Sequence, residues 1–281
     1  MFHFVTSRLP LTRIKLFLAR VAYVFIRIFL RSNHIRATRG GINYMFDLSE
    51  GIDLMIFLMG SYQSHIFSNN FYTLPEHACV FDIGANMGCM TLQFAKAAPR
   101  GHVYAFEPTD LAYKKLLKNN DLNPDLKQRI TPVKQFASDK SLSAPRRMAM
   151  ASWRTDSFRT KGHPVHGGVE LSTSLAPSIT LDDFCRENRI SKIDLIKIDT
   201  EGQELAVLKG AQGILKTHQP VIIFESGTYL MNEQGVNFMD YYDLLNKLGY
   251  RLFVLQRNTE ITKDNYMDLI PRLSTVDIIA L

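Results

Sequence analysis

The sequence predicts a doubly wound α/β fold: a mostly parallel sheet with helices on both faces, preceded by an N-terminal helical arm. Three observations lead there. From residue 79 onward, short apolar runs alternate with helical segments, the pattern of parallel strands joined by crossover helices. One of those runs, Val80-Phe81-Asp82-Ile83, feeds a glycine turn, Gly84-Ala85-Asn86-Met87-Gly88, and then a helix from Met90 to Ala98. Four of the runs end in acids, at Asp82, Glu107, Asp199 (with Glu201) and Glu225. In open α/β sheets ligands bind beyond the carboxyl ends of the strands.

The 281 residues suffice for one α/β domain of roughly 200 residues plus an arm. With 46% hydrophobic and 21% charged residues the chain has the composition of a folded domain. Its net charge of +6 is unevenly placed. Residues 1–40 hold eight Lys/Arg and no acid, which leaves 25 basic against 27 acidic residues in the rest. The basic signal therefore belongs to the arm, and nucleic acid is not an expected partner of the domain. Cys79, Cys89 and Cys185 are too few and too scattered for a disulfide framework, and no zinc spacing exists. A reducing, cytoplasmic compartment is the default.

Leu9 to Leu30 is apolar but interrupted at Arg13, Lys15, Arg20 and Arg27. A central arginine costs about 2.5–3.5 kcal/mol on insertion scales, which disfavours a membrane span. Arg13, Arg20 and Arg27, seven apart, form one basic stripe of a helix that suits a membrane surface over residues 9–31. Packing on its own domain or on a second subunit is the alternative. Three regions result: 1–40, a basic apolar helical arm; 41–79, a cover with a strand at Ile42–Leu48 and a helix at Ile52–Met59; and 80–281, the ligand-binding domain.

Within that domain His102–Glu107 is the second strand, and Thr109 is placed to cap a helix reaching Asn119-Asn120. Ile130–Ala137 reads as a third strand leading to Ser138-Asp139. Residues 140–178 are polar and read as an insertion with irregular hairpins. Thr180 caps the next helix, Ile193–Asp199 is a strand, and Thr200 with Gln203 matches a capping box. Val221–Glu225, a helix over Tyr241–Leu248, and strands at Arg251–Gln256 and Thr275–Leu281 complete the chain.

Glu107 follows the turn by about twenty residues, as a ribose-binding carboxylate should. Dinucleotide binding would need G-x-G-x-x-G, but Asn86 and Cys89 occupy the later glycine positions, so an NAD-dependent oxidoreductase is a rival without its main support. Lys197 and Asp199 point to one face of their strand, and the lysine needs a partner there, Asp199 or Glu225. Asp199, Glu201 and Glu225 could instead hold Mg²⁺. His65, His163, His166 and His218 read as loop residues without a recognisable partner.

Val80–Gly88 resembles the glycine motif of class I S-adenosylmethionine-dependent methyltransferases, and its Gly-Ala-Asn variant that of the FkbM family. Ala105-Phe106-Glu107-Pro108, Thr180-Leu181-Asp182-Asp183, Ile193 to Gly202 and Pro220 to Glu225 extend the resemblance in order. Gln63 departs from the family, which often carries Glu there, and neither the arm nor residues 140–178 are covered. The resemblance implies S-adenosyl-L-methionine as cofactor and a class I methyltransferase fold. Asp82, Gly84, Ala85, Asn86 and Gly88 would shape its pocket, Glu107 would bind the ribose, and Ser138 or Asp139 would meet the adenine. It also implies O-methylation of a sugar, glycolipid or secondary metabolite. Asp199 would then be base or orienting group, with Lys197, Glu201 and Glu225 beside it and no metal. A non-catalytic membrane-docking protein is the second rival, opposed by the intact Asp82, Gly84, Gly88 and Glu107.

Overall fold

A computed structural model of the chain describes residue 23 and residues 32–142, 148–153, 168–173, 176–272 and 274–281. The apolar arm expected over residues 9–31 lies almost wholly outside these. In chain order come β1 (His34–Arg39), β2 (Ile42–Asp47), α1 (Gly51–Met59), β3 (Cys79–Ile83) and α2 (Cys89–Ala97). Then follow β4 (His102–Phe106), α3 (Asp110–Asp121), α4 (Pro124–Lys127), β5 (Ile130–Val133), β6 (Phe136–Ala137), β7 (Met148–Trp153), β8 (Gly168–Ser172) and β9 (Ser178–Ile179). The last part contains α5 (Leu181–Glu187), β10 (Leu195–Ile198), α6 (Glu204–Lys209), α7 (Gln212–His218), β11 (Val221–Ser226), α8 (Thr228–Gln234) and α9 (Phe238–Lys247). It closes with β12 (Leu252–Val254), β13 (Thr259–Ile261), α10 (Tyr266–Leu269) and β14 (Val276–Ala280).

The chain divides into two units, residues 1–62 with 150–170, and residues 63–149 with 171–281. In the first, β1 and β2 form an antiparallel hairpin around Gly40-Gly41. Both glycines have positive φ (56° and 73°), as a two-residue turn matching strand twist requires. Ile42, Tyr44 and Phe46 alternate inward along β2. Asp53 accepts from the Asp47 amide at 2.7 Å, and the Arg39 guanidinium lies 4.7 Å over the Phe57 ring, tying α1 to the hairpin. Residues 34–39 are thus strand, so an arm helix within 1–40 cannot reach past residue 33 and the boundary at 40/41 cuts a hairpin.

The second unit is built on an eight-stranded sheet in the order β13-β12-β14-β11-β10-β3-β4-β5. β5, β4, β3, β10 and β11 run parallel, whereas β14 is antiparallel to both β11 and β12. The chain leaves β3 toward β4 on one side and returns to β10 on the other, so the order reverses between β3 and β10. A crevice opens at such a switch point, and this is the Rossmann-like arrangement expected.

One sheet face carries Phe81, Ile83, Ile196, Ile198, Ile222, Phe224, Ile278 and Ala280, all buried against α5, α6, α7 and α9. Phe184 of α5 packs edge-on to Phe81 and Phe106, and Tyr241 of α9 stacks on Phe224 at 5.6 Å. Each such side chain contributes roughly 1.5–3 kcal/mol on full burial, and this face holds the main core. Thr180 caps α5 as expected, accepting from the Asp183 amide at 3.0 Å. Asp182 caps the following pair instead, its two oxygens accepting from the Gly213 and Ile214 amides at 2.9 Å.

The expected third strand, 130–137, is broken. β5 ends at Val133, and β6 leaves the main sheet to pair with β9. Within the 140–178 insertion β7 and β8 form a two-stranded ribbon. Short α8, α10 and β13 have no counterpart in the sequence reading, because three to seven residues carry too little periodicity.

Candidate active site

The turn after β3 is shaped by three consecutive demands on the backbone. Gly84, Asn86 and Gly88 have φ of 82°, 50° and 86°. A Cβ on Gly84 would lie 1.8 Å from the Asp199 carbonyl oxygen, and one on Gly88 would lie 2.5 Å from Leu116 Cδ1. Glycine is therefore required at both positions by packing as well as by φ. Asn119, buried on α3, donates to the Met87 carbonyl at 2.8 Å and holds the turn from behind.

The turn directs its own N–H groups inward. Gly84 and Ala85 donate to the Phe106 carbonyl at 3.0 and 2.9 Å, Gly88 donates to Ala85, and Asn86 donates to Glu107 Oε2 at 2.9 Å. A pyrophosphate cradle needs such groups facing the ligand. Glu107, at the tip of β4, is buried and also accepts from the Thr109 amide (2.8 Å) and hydroxyl (2.5 Å). Thr109 therefore does not cap α3 with its side chain, as its spacing suggested, but braces Glu107. Burial raises the Glu107 pKa, opposed by these hydrogen bonds. Three of about four acceptor positions are taken, and a hydroxyl donor would add one more hydrogen bond that favours the charged form.

Beside the turn, register lines up a polar stripe. Asp82 pairs with Lys197, Lys197 with Ile223, and Glu225 with Asp277. Residues two apart on a strand share a face, so Asp82, Lys197, Asp199, Glu225 and Asp277 project to the side opposite the main core. Asp82 is fully buried; its Oδ2 accepts from Thr91 of α2 at 2.6 Å, and Oδ1 has no hydrogen-bond partner. Burial raises the Asp82 pKa, with Lys197 and Thr91 opposing. Of the two partners expected for Lys197, Asp199 takes it, at 3.1 Å, and Asp82 Oδ1 follows at 3.9 Å. Burial alone would favour the neutral amine, yet Asp199 and Asp82 outweigh it and hold the lysine charged.

Glu201 sits in the left-handed region (φ 53°) between β10 and α6. The expected capping box of Thr200 and Gln203 does not form. Buried Glu204 instead accepts from the Thr200 amide (2.9 Å), the Thr200 hydroxyl (3.0 Å) and the Gly202 amide (3.1 Å), clasping the loop that presents Glu201. Burial, then repulsion from Asp199 and Glu204, pushes the Glu201 carboxyl up to about 8. Glu225, bonded by the Thr275 hydroxyl at 2.5 Å, is raised well above its ordinary range by burial and by Asp199 and Glu201. The Tyr229 phenol is raised too, first by burial and then by Glu225 and Glu201.

The structure thus brings together Asp82, Gly84, Ala85, Asn86, Gly88 and Glu107 around one turn, and Lys197, Asp199, Glu201 and Glu225 next to it. Ser138 and Asp139 follow β6, in the small second sheet, rather than the third strand of the main one. Ser138 is buried and its amide donates to Ile179, while Asp139 is exposed. Thr91, Glu204, Tyr229 and the pair His65–Asp277 escaped the sequence reading. His65 has a partner after all, Asp277, 212 positions away; His163 and His166 lie outside the described residues. Among the described residues no group of three or more His, Cys, Asp or Glu could hold a metal ion, and no helix is long and apolar enough to cross a membrane.

Among curated proteins the chain is 26% identical over 193 residues to the hexuronic acid methyltransferase AglP of Haloferax volcanii, covering 68% of this chain and 67% of that one. It is 28% identical over 177 residues to methyltransferase sdnD of Sordaria araneosa, covering 52% and 66% respectively. The matches span about two thirds of these relatives' own length. A crystal structure of methyltransferase FkbM from Methylobacillus flagellatus aligns at 17% identity with a TM-score of 0.46, over 75% of this chain and 45% of that one. The family model described as the methyltransferase FkbM domain matches residues 82–252, more than half of the chain, so the protein belongs to the FkbM methyltransferase family.

Proposed function

We propose that the protein is an S-adenosylmethionine-dependent O-methyltransferase acting on a hydroxyl of a sugar, glycolipid or secondary metabolite. The observation that carries the cofactor is the inward-facing turn. Its amides serve Phe106 and Glu107 instead of a phosphate, which fits a nucleoside ligand that has none, and buried acids surround the place where a cationic sulfonium would sit. When bound, S-adenosylmethionine supplies a methyl group already activated on sulfur. The chain's own task is then alignment, which can contribute up to ~7–11 kcal/mol.

Residues 84–88 and Asp82 would enclose the methionine part, Glu107 the ribose diol, and Ser138 or Asp139 the adenine. Lys197 fixes Asp199 as an orienting group for the acceptor, and Glu201 and Glu225 flank it as hydrogen-bonding groups. A sugar acceptor is supported by AglP, whose name makes it a hexuronic acid methyltransferase. Residues 9–31, basic and apolar, would carry the cytoplasmic enzyme to a membrane surface where glycolipid acceptors reside.

Calorimetry with S-adenosylhomocysteine and NADH tests the cofactor. We expect tight binding of the former only, and a Glu107→Ala dissociation constant raised at least tenfold, since a hydrogen bond to a charged group is worth about 1.5–3 kcal/mol. Tight NADH binding alone would overturn the reading. Labelled methyl donor offered with hexuronic acid glycosides and glycolipids then identifies the acceptor.

A further inference from the structure

His65, Asp277 and Gln256 converge at the far end of the polar stripe. His65 stands on the short 3₁₀ turn Ser64–Ile66, ahead of β3, with its Nε2 2.6 Å from Asp277 Oδ2. Gln256 Nε2 donates to the same oxygen at 2.8 Å. The Asp277 side chain is 11% exposed and that of His65 33%, so the carboxylate is fixed inside while the ring keeps a path to solvent. Asp277 is the register partner of Glu225, and both share their sheet face with Asp199. At ~4.8 Å per strand Asp277 lies about 10 Å from Asp199, a separation that one or two sugar rings span.

The proton arrangement follows from the donor inventory. A carboxylate only accepts, so a neutral imidazole bonded through Nε2 carries its hydrogen there and leaves Nδ1 as a bare acceptor. Among the described residues nothing hydrogen-bonds that Nδ1. Of the neighbouring acids, Asp199 is engaged by Lys197 and Glu225 by the Thr275 hydroxyl.

We infer that His65 is the catalytic base toward the acceptor hydroxyl, with Asp277 and Gln256 as residues that position it; this rests on the methyl-transfer reading above. As the acceptor oxygen bonds to the methyl carbon, the carbon–sulfur bond breaks and leaves its electron pair on sulfur. The hydroxyl proton passes to His65 Nδ1, and Asp277 stabilises the imidazolium through Nε2–H. Nothing in the residue spacing announces this pair, which is assembled only by β14 lying against β11.

Three measurements on the full chain test it. Imidazole ¹⁵N NMR should show His65 in the Nε2–H form, and Asp277→Asn should abolish that preference; an Nδ1–H form in the wild type overturns the inference whatever the acceptor. Transfer of tritiated methyl from labelled donor to a total lipid and metabolite extract should fall about 10²–10⁴-fold in His65→Ala. S-adenosylhomocysteine affinity should be unchanged in that variant, and added imidazole should restore part of the rate, which a structural role would not allow. His65→Gln serves if the alanine variant fails to fold. A His65→Ala rate equal to wild type sinks this inference alone. A wild type that neither binds S-adenosylhomocysteine nor transfers methyl sinks the methyl-transfer reading, and the inference with it.

Discussion

Glu201 shows how one residue can carry both strain and charge. It occupies the left-handed region, where a non-glycine residue costs about 1–3 kcal/mol unless its surroundings hold it. The Glu204 carboxylate, bonded to the residues on either side, does the holding. Its raised pKa has a consequence for stability. In the unfolded chain Glu201 loses its proton near pH 4.5, but in the folded chain it keeps it to about 8. Between those values the folded state binds more protons, so stability falls as pH rises, and the deficit is complete above pH 8. Glu201 keeps partial contact with solvent, which screens some of this repulsion. Glu201→Gln should therefore melt with the wild type at pH 4 and above it at pH 9. A gain on the order of 1 kcal/mol would appear as about 2–4 °C in Tm. Equal melting at pH 9 would place the carboxyl in its ordinary range.

At the scale of elements, the turn between β3 and α2 is held from two sides that differ in how far they can yield. Gly84 faces the Asp199 backbone, whereas Gly88 faces the end of a leucine side chain on α3. Gly84→Ala cannot be relieved by a rotamer change and should prevent folding or cost well over ~3 kcal/mol, since φ strain and backbone overlap add. Gly88→Ala should cost less, and Leu116→Ala, which removes the offending methyl, should recover part of the loss. A coupling of about 0.5–3 kcal/mol in urea denaturation of the four proteins is expected. Strict additivity would show that Leu116 does not limit the turn. The same turn separates two ligand classes, since amides bonded to β4 cannot also cradle a pyrophosphate.

For the whole molecule, charge is segregated along the chain. Residues 1–40 carry eight basic side chains and no acid, and the remaining residues carry a slight acidic excess. Attraction of a basic, apolar segment to anionic lipid is screened by salt within about 10 Å at 0.1 M. Removing residues 1–31 should then abolish salt-sensitive sedimentation with anionic vesicles and leave S-adenosylhomocysteine affinity intact. Loss of that affinity instead would make the arm part of the ligand-binding fold.

The parallel strands, the helices between them and the glycine turn with the acid at the tip of β4 were legible in the sequence. They depend on local information: apolar runs, a glycine turn whose φ values only glycine meets readily, and an acid at a fixed distance down the chain. Asp182 and Asp194 were legible as motif residues but not for what they do, which is to satisfy backbone amides of distant elements. Helix α6 was found, yet its start was assigned to Thr200 and Gln203 because a capping box is a local pattern. Buried Glu204 could gather the same amides more completely, and it won.

What the sequence by itself determined was the sheet class, the turn, the carboxylate at the tip of β4 and the lysine that had to find a partner. Which partner Lys197 takes, where the third strand breaks, and that His65 meets Asp277 were decided only by the tertiary structure. Those outcomes depend on strand order and register, which bring residues together from up to 212 positions apart. Register is set by the packing of the whole apolar face at once, and no local spacing of residues encodes it.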